Sequence, residues 1–129
     1  MNLKPVLILL LAYGAASLLH FTHNAVFIDE YPNLPEWLTS TKVLATWTAE
    51  ALIGIAGFLL VRTGYHIAGL LLIAFYAALG YDGLAHYNLA PFSAHTPTMN
   101  FTILLEVAAA TALLIVIVGK LFQKKRESF

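Results

Sequence analysis

Apolar residues come along this chain in four long blocks, and polar residues fall mostly between them. The blocks run over 5–28, 43–61, 67–87 and 99–119, which is 24, 19, 21 and 21 residues. A helix needs about 20 residues to cross the hydrocarbon core of a bilayer. Inside that core the backbone must satisfy its own hydrogen bonds, so each block is expected to be a helix. The first block holds no Asp, Glu, Lys or Arg, and each of the others holds one, Glu50, Asp82 and Glu106 in turn. The pattern predicts an all-α integral membrane four-helix bundle, a single domain over 1–129, with 120–129 as a tail.

Composition strengthens this picture. Only 11% of residues are charged and the mean hydropathy is +0.78, whereas a soluble domain carries roughly 25% charged residues. Such a chain lacks the polar surface to cover itself in water. The first block, with Lys4 ahead of it and YGAAS inside it, has some character of a signal peptide. Its apolar stretch runs on past Ala16 to Ile28, longer than a signal core, so a retained helix is expected. Without cysteine, disulfides, thiolate metal sites and thiol catalysis are excluded. A formal net charge of zero and no basic stripe interleaved with aromatics argue against nucleic acid as a partner.

Charge also orients the spans. Lys4, Arg62, Lys120, Lys124, Lys125 and Arg126 flank one side of the four blocks, and Lys42 alone flanks the other. By the positive-inside rule both termini should be cytoplasmic, in a membrane of the bacterial inner type. The segment 62–66 then makes a tight cytoplasmic turn, and 29–42 and 88–98 are longer outward loops of ordinary turn composition. The tail should be a frayed helix end near anionic headgroups. Tyr31-Pro-Asn-Leu-Pro35 resembles Tyr87-Asn-Leu-Ala-Pro91, and each closing proline precedes a glutamate, Glu50 or Glu106, by 15 residues. Two tandem helical hairpins are therefore an open expectation.

Depth follows from counting along the helices. Glu50 lies eight residues beyond Lys42 and Glu106 eight beyond Thr98, about 12 Å below the outer boundary. His20 falls in the same layer, His23 and Asp82 about one turn shallower, and Asn24, His86 and Asn100 shallower still. Carboxylates cost several kcal/mol when they face lipid at this depth, so they should point inward. Helical spacing puts Tyr13, Ser17, His20 and Asn24 on one face, Thr46, Glu50, Gly54 and Gly57 on another, and Thr102, Glu106 and Ala109 on a third. At i, i+4 in an α-helix, Asp82 and His86 should also share a face. Gly54 and Gly57 are expected to permit close helix contact. The cytoplasmic half carries no such polar set.

Three imidazoles and three carboxylates make an N/O set suited to a divalent metal: His20, His23, Glu50, Asp82, His86 and Glu106. In the same layer, Glu50, Asp82 and Glu106 are candidate acids and bases, and His20, His23 and His86 are candidate ligands for a cofactor, a tetrapyrrole included. His66 is expected to be solvated, and His95 to be a surface residue or a lid over the layer. Trp37, Trp47, Tyr31, Tyr81 and Tyr87 are expected at the membrane–water interface. The leading functional reading is an outward-facing site that binds a metal ion or a lipophilic small molecule, with catalysis open. The competing readings are a proton-coupled carrier and an accessory subunit of a larger membrane complex. Membrane lipids and further protein copies are the expected surroundings.

Overall fold

The computed structural model describes residues 1–128, and every regular element among them is helical. Helix α1 spans Lys4–Val26 and begins with proline in its first turn, where a missing N–H costs nothing. Helix α2 spans Ser40–Arg62, and the Thr39 side chain caps it by accepting from the Lys42 N–H. The turn into α3, His66–Leu79, is carried by Gly64 at φ +98°, a left-handed conformation that suits a residue without Cβ. The third span continues as a 3₁₀ segment, Gly80–Ala85, and a one-turn α4, His86–Leu89. Helix α5 runs Pro97–Glu127, capped by Thr96. Lys4–Val26, Ser40–Arg62, His66–Leu89 and Pro97–Glu127 are long and apolar enough to cross a membrane.

The spans close into a ring in which α1 and α3 each pack against both α2 and α5. One end gathers both termini and the 62–66 turn, where Lys120 Nζ donates to Asn2 O. The other end gathers the long loops, where Asn33 donates to Leu89 O and Ser40 to Ala25 O. The core differs between these ends. Toward the termini it is built from Val6, Tyr13, Val61, Leu70, Ile73, Leu113 and Ile117. Toward the loops the buried set includes His20, Asn24, Glu50, His86, Asn100 and Glu106. Leu11, Leu52, Phe75 and Ile115 are exposed on the perimeter, as lipid-facing residues are.

Small residues set the closest approaches. A Cβ on Gly57 would lie 3.0 Å from Gly69 O, and one on Gly69 would lie 2.6 Å from Gly57 O. Here α2 and α3 touch backbone to backbone. The ring of Tyr76 covers Gly54, where a Cβ would come within 2.5 Å of it. Both glycines expected to permit close contact do so.

The third and fourth spans depart from expectation. The third is not one α-helix over 67–87. Gly80 lies where a Cβ would meet Ala110 Cβ at 2.6 Å and the Tyr13 hydroxyl at 2.8 Å. The backbone there tightens to three residues per turn, which aligns Gly80, Gly83 and His86 instead of Asp82 and His86. The fourth span is helical from Pro97 to Glu127, so the basic tail is helix as far as it is described. Phe129 lies outside the described residues. Thr46 turns outward, its hydroxyl donating to Lys42 O, and Ala110 rather than Ala109 is buried.

Candidate functional site

Three of the four spans meet directly in the polar layer, and α2 adds the buried Glu50. From α5, Glu106 is 1% exposed, and its carboxyl forms a hydrogen bond with Nδ1 of His20 on α1. Gly83 lies against this pair: a Cβ there would meet His20 Cε1 at 3.2 Å and Glu106 Oε2 at 3.4 Å. The 3₁₀ segment thus lets the third span pass directly over the pair. One turn nearer the loops, His86 presents its ring edge-on to His20, with centroids 5.5 Å apart.

The histidine tautomers follow from their partners. Asn24 Nδ2 and His86 Nε2 share a hydrogen bond at 3.0 Å; with the amide N–H as its donor, Nε2 accepts and Nδ1 carries the proton of the neutral ring. Pro91 O can only accept, so His95 Nδ1 donates to it and Nε2 is left with its lone pair. His95 packs edge-on to His86, with centroids 6.1 Å apart. Among the described residues His20 Nε2, His86 Nδ1 and His95 Nε2 are buried with no hydrogen-bond partner. The three rings form a file from Glu106 toward the loops, and each keeps one nitrogen uncommitted.

Loop residues close the file. Tyr31 stacks on His86 at 5.0 Å and its hydroxyl bonds His23 Nδ1 at 2.8 Å. Burial pushes the Tyr31 phenol up to about 12, a hydrogen bond with Thr102 opposing the shift, so it stays protonated. Asn100 accepts from the Tyr87 hydroxyl and donates to Phe92 O and His95 O, which fastens the 90–96 loop over His95.

The sequence candidates divide accordingly. His20, His86 and Glu106 come together. Glu50 is buried on α2, within electrostatic reach of Glu106, and among the described residues its Oε2 has no partner. His23 is half-buried and borders the cluster through Tyr31. Asp82 is exposed, because the 3₁₀ winding turns it away from the face that carries Gly83 and His86. No three His, Asp or Glu side chains among the described residues are arranged to hold one metal ion. The six expected ligands are thus not gathered around one point: Asp82 is exposed, His23 bonds Tyr31, and His20 spends one nitrogen on Glu106.

Other expectations shift too. His95 is 5% exposed and so belongs to the cluster rather than the surface. The Trp47 indole N–H donates to Ser17 at 3.0 Å and the Tyr81 hydroxyl bonds Thr111 at 2.6 Å, so both reach into the bundle. Asn24 keeps the helical spacing of its face, whereas Tyr31 and His95 are cluster members on loops that helical periodicity could not assign. The signal that existed was the Tyr/Pro loop resemblance, which marks both closing loops. An open groove of about 310 Å³ lies between α1 and α2, over Gly14, Leu18, Trp47, Gly54 and Tyr76. No protein-family model, curated protein or solved structure matches the chain.

Proposed function

We propose that this protein binds a lipophilic small molecule within the membrane and couples that binding to proton exchange at Glu106 and Glu50. The observation that carries the reading is the file Glu106–His20–His86–His95, buried and continuous from mid-bundle to the loops. His20 Nε2, His86 Nδ1 and His95 Nε2 are each without a hydrogen-bond partner among the described residues, so each ring has a nitrogen free to take or release a proton. Rings at this spacing exchange protons by reorienting or through one bridging water. Imidazole suits this task because one ring nitrogen can take a proton while the other releases one. Glu50 has an uncommitted oxygen at the level of the cluster, and a ligand's hydrogen-bonding or cationic group is its natural partner. The groove between α1 and α2 gives such a molecule access from the lipid.

Six cations at the termini end against Lys42 at the other support cytoplasmic termini. In a bacterial inner membrane the proton file would then face outward.

Infrared difference spectroscopy on reconstituted protein tests the reading. Stepping the bulk pH should change the carboxylic C=O stretch, and Glu106→Gln should remove that component. His86→Phe should keep the band but slow its response severalfold. A carboxyl band indifferent to pH, or one that responds equally fast in His86→Phe, would defeat proton exchange along the file.

A further inference from the structure

At the end of the molecule away from the histidine file, a groove runs between α3 and α5. It measures about 670 Å³ and is walled by Ile67, Leu71, Val118, Leu121 and Phe122, within the range of small-molecule sites. Phe122 is 65% exposed and Leu71 55%, so this wall is greasy and open. Its rim is different. Lys124 and Lys125 border it from α5, and His66, with a buried Nδ1 that lacks a partner among the described residues, borders it from α3.

The helix lengths explain the groove. Helix α5 has 31 residues, about 46 Å at 1.5 Å each, against a hydrocarbon core of about 30 Å. Its last turns therefore stand at headgroup level, while α3 begins at His66 after the short Gly64 turn and leaves the α5 wall uncovered. Charge at this level is one-sided: Lys4, Arg62, Lys120, Lys124, Lys125 and Arg126 face a single acidic side chain, Glu127. Glu127 holds Lys124 at 2.7 Å, both at the solvated surface.

We propose that this groove is a binding site for one anionic phospholipid of the adjoining leaflet. An acyl chain lies along Leu71, Val118 and Phe122, and the phosphate meets Lys125, Lys124 and the His66 imidazole. An uncharged or zwitterionic lipid would satisfy the wall but not the rim. Juxtamembrane cations attract anionic headgroups generally; here the apolar wall beside them fixes one molecule in place. The site is independent of the proton file, so either proposal can fail alone.

Native mass spectrometry of the detergent-purified protein, offered phosphatidylglycerol and phosphatidylcholine in equal amounts, tests this. One phosphatidylglycerol should be retained in preference, by about fivefold, as one lysine beside the phosphate gives when Lys124 is shared with Glu127. K124Q/K125Q should lose the preference while still binding lipid. V118W, which fills the groove and leaves every charge in place, should lose the bound molecule; I67W serves if V118W does not fold. Equal retention of the two lipids by the unaltered protein would overturn the proposal. So would a preference that survives V118W or I67W, since the basic tail would then be acting without the groove.

Discussion

A carboxyl group as enclosed as Glu106 in an apolar bundle needs a partner, and His20 is the one within reach. Removing one member of such a pair costs more than removing both, because the survivor keeps its desolvation penalty. His20→Leu should therefore lower stability by about 1–3 kcal/mol, and His20→Leu with Glu106→Leu should recover much of that loss. Thermal unfolding in detergent measures both, and a single variant as stable as the parent would mean the pair contributes nothing. Tyr31 supplies a pH test. Its phenol is raised from 10.0 to about 12 in the folded protein, so the fold holds the proton more tightly than the unfolded chain does. This contribution is complete below pH 10 and is lost as pH rises through 12. Alkaline unfolding over that window should be shallower in Tyr31→Phe than in the parent.

At the scale of the element, the spans were legible because bilayer thickness dictates their length, and four apolar blocks satisfy it. The inward faces of α1 and α5 were legible for the same kind of reason, since Tyr13, Ser17, His20 and Asn24 keep helical spacing throughout. The third span was not. Helical arithmetic assumes 3.6 residues per turn, and the contact of Gly80 with Ala110 and Tyr13 replaces that period. Asp82 was misplaced and His95 underrated for one reason: both positions depend on tertiary contacts that periodicity does not encode. The glycine contacts make a prediction at this scale. Gly57→Leu must part α2 from α3, costing about 1–3 kcal/mol through overpacking. Gly69→Ala should also destabilise, since even its single Cβ would meet Gly57 O at 2.6 Å. Unchanged melting of both variants would contradict the backbone contact.

For the whole molecule, the division between an apolar half and a polar half is the organising fact. It was foreshadowed by ionisable side chains gathered toward one end of each span, and it places the histidine file and the apolar groove between α3 and α5 at opposite ends. Sidedness is open to direct measurement because the chain has no cysteine. Single cysteines at Asn33 and Ser93 should react with an impermeant maleimide from outside intact cells, and one at Gly64 should not. Labelling at Gly64 would invert the bundle and turn the file toward the cytoplasm.

The six-residue 3₁₀ segment Gly80–Ala85 has a mechanical consequence. Each 3₁₀ residue advances about 120° and 2.0 Å, against about 100° and 1.5 Å in an α-helix. Rewinding six residues from one to the other would rotate everything beyond them by about 120° and draw it back by about 3 Å. The part beyond is α4, which carries His86. The segment is thus a screw thread set between a fixed helix and the middle ring of the file, and one change of pitch would swing that ring out of line. Gly80 holds the thread at its tight pitch, because a Cβ there would meet Ala110 and Tyr13 at 2.6–2.8 Å, while Gly83 brings the thread close over the His20–Glu106 pair.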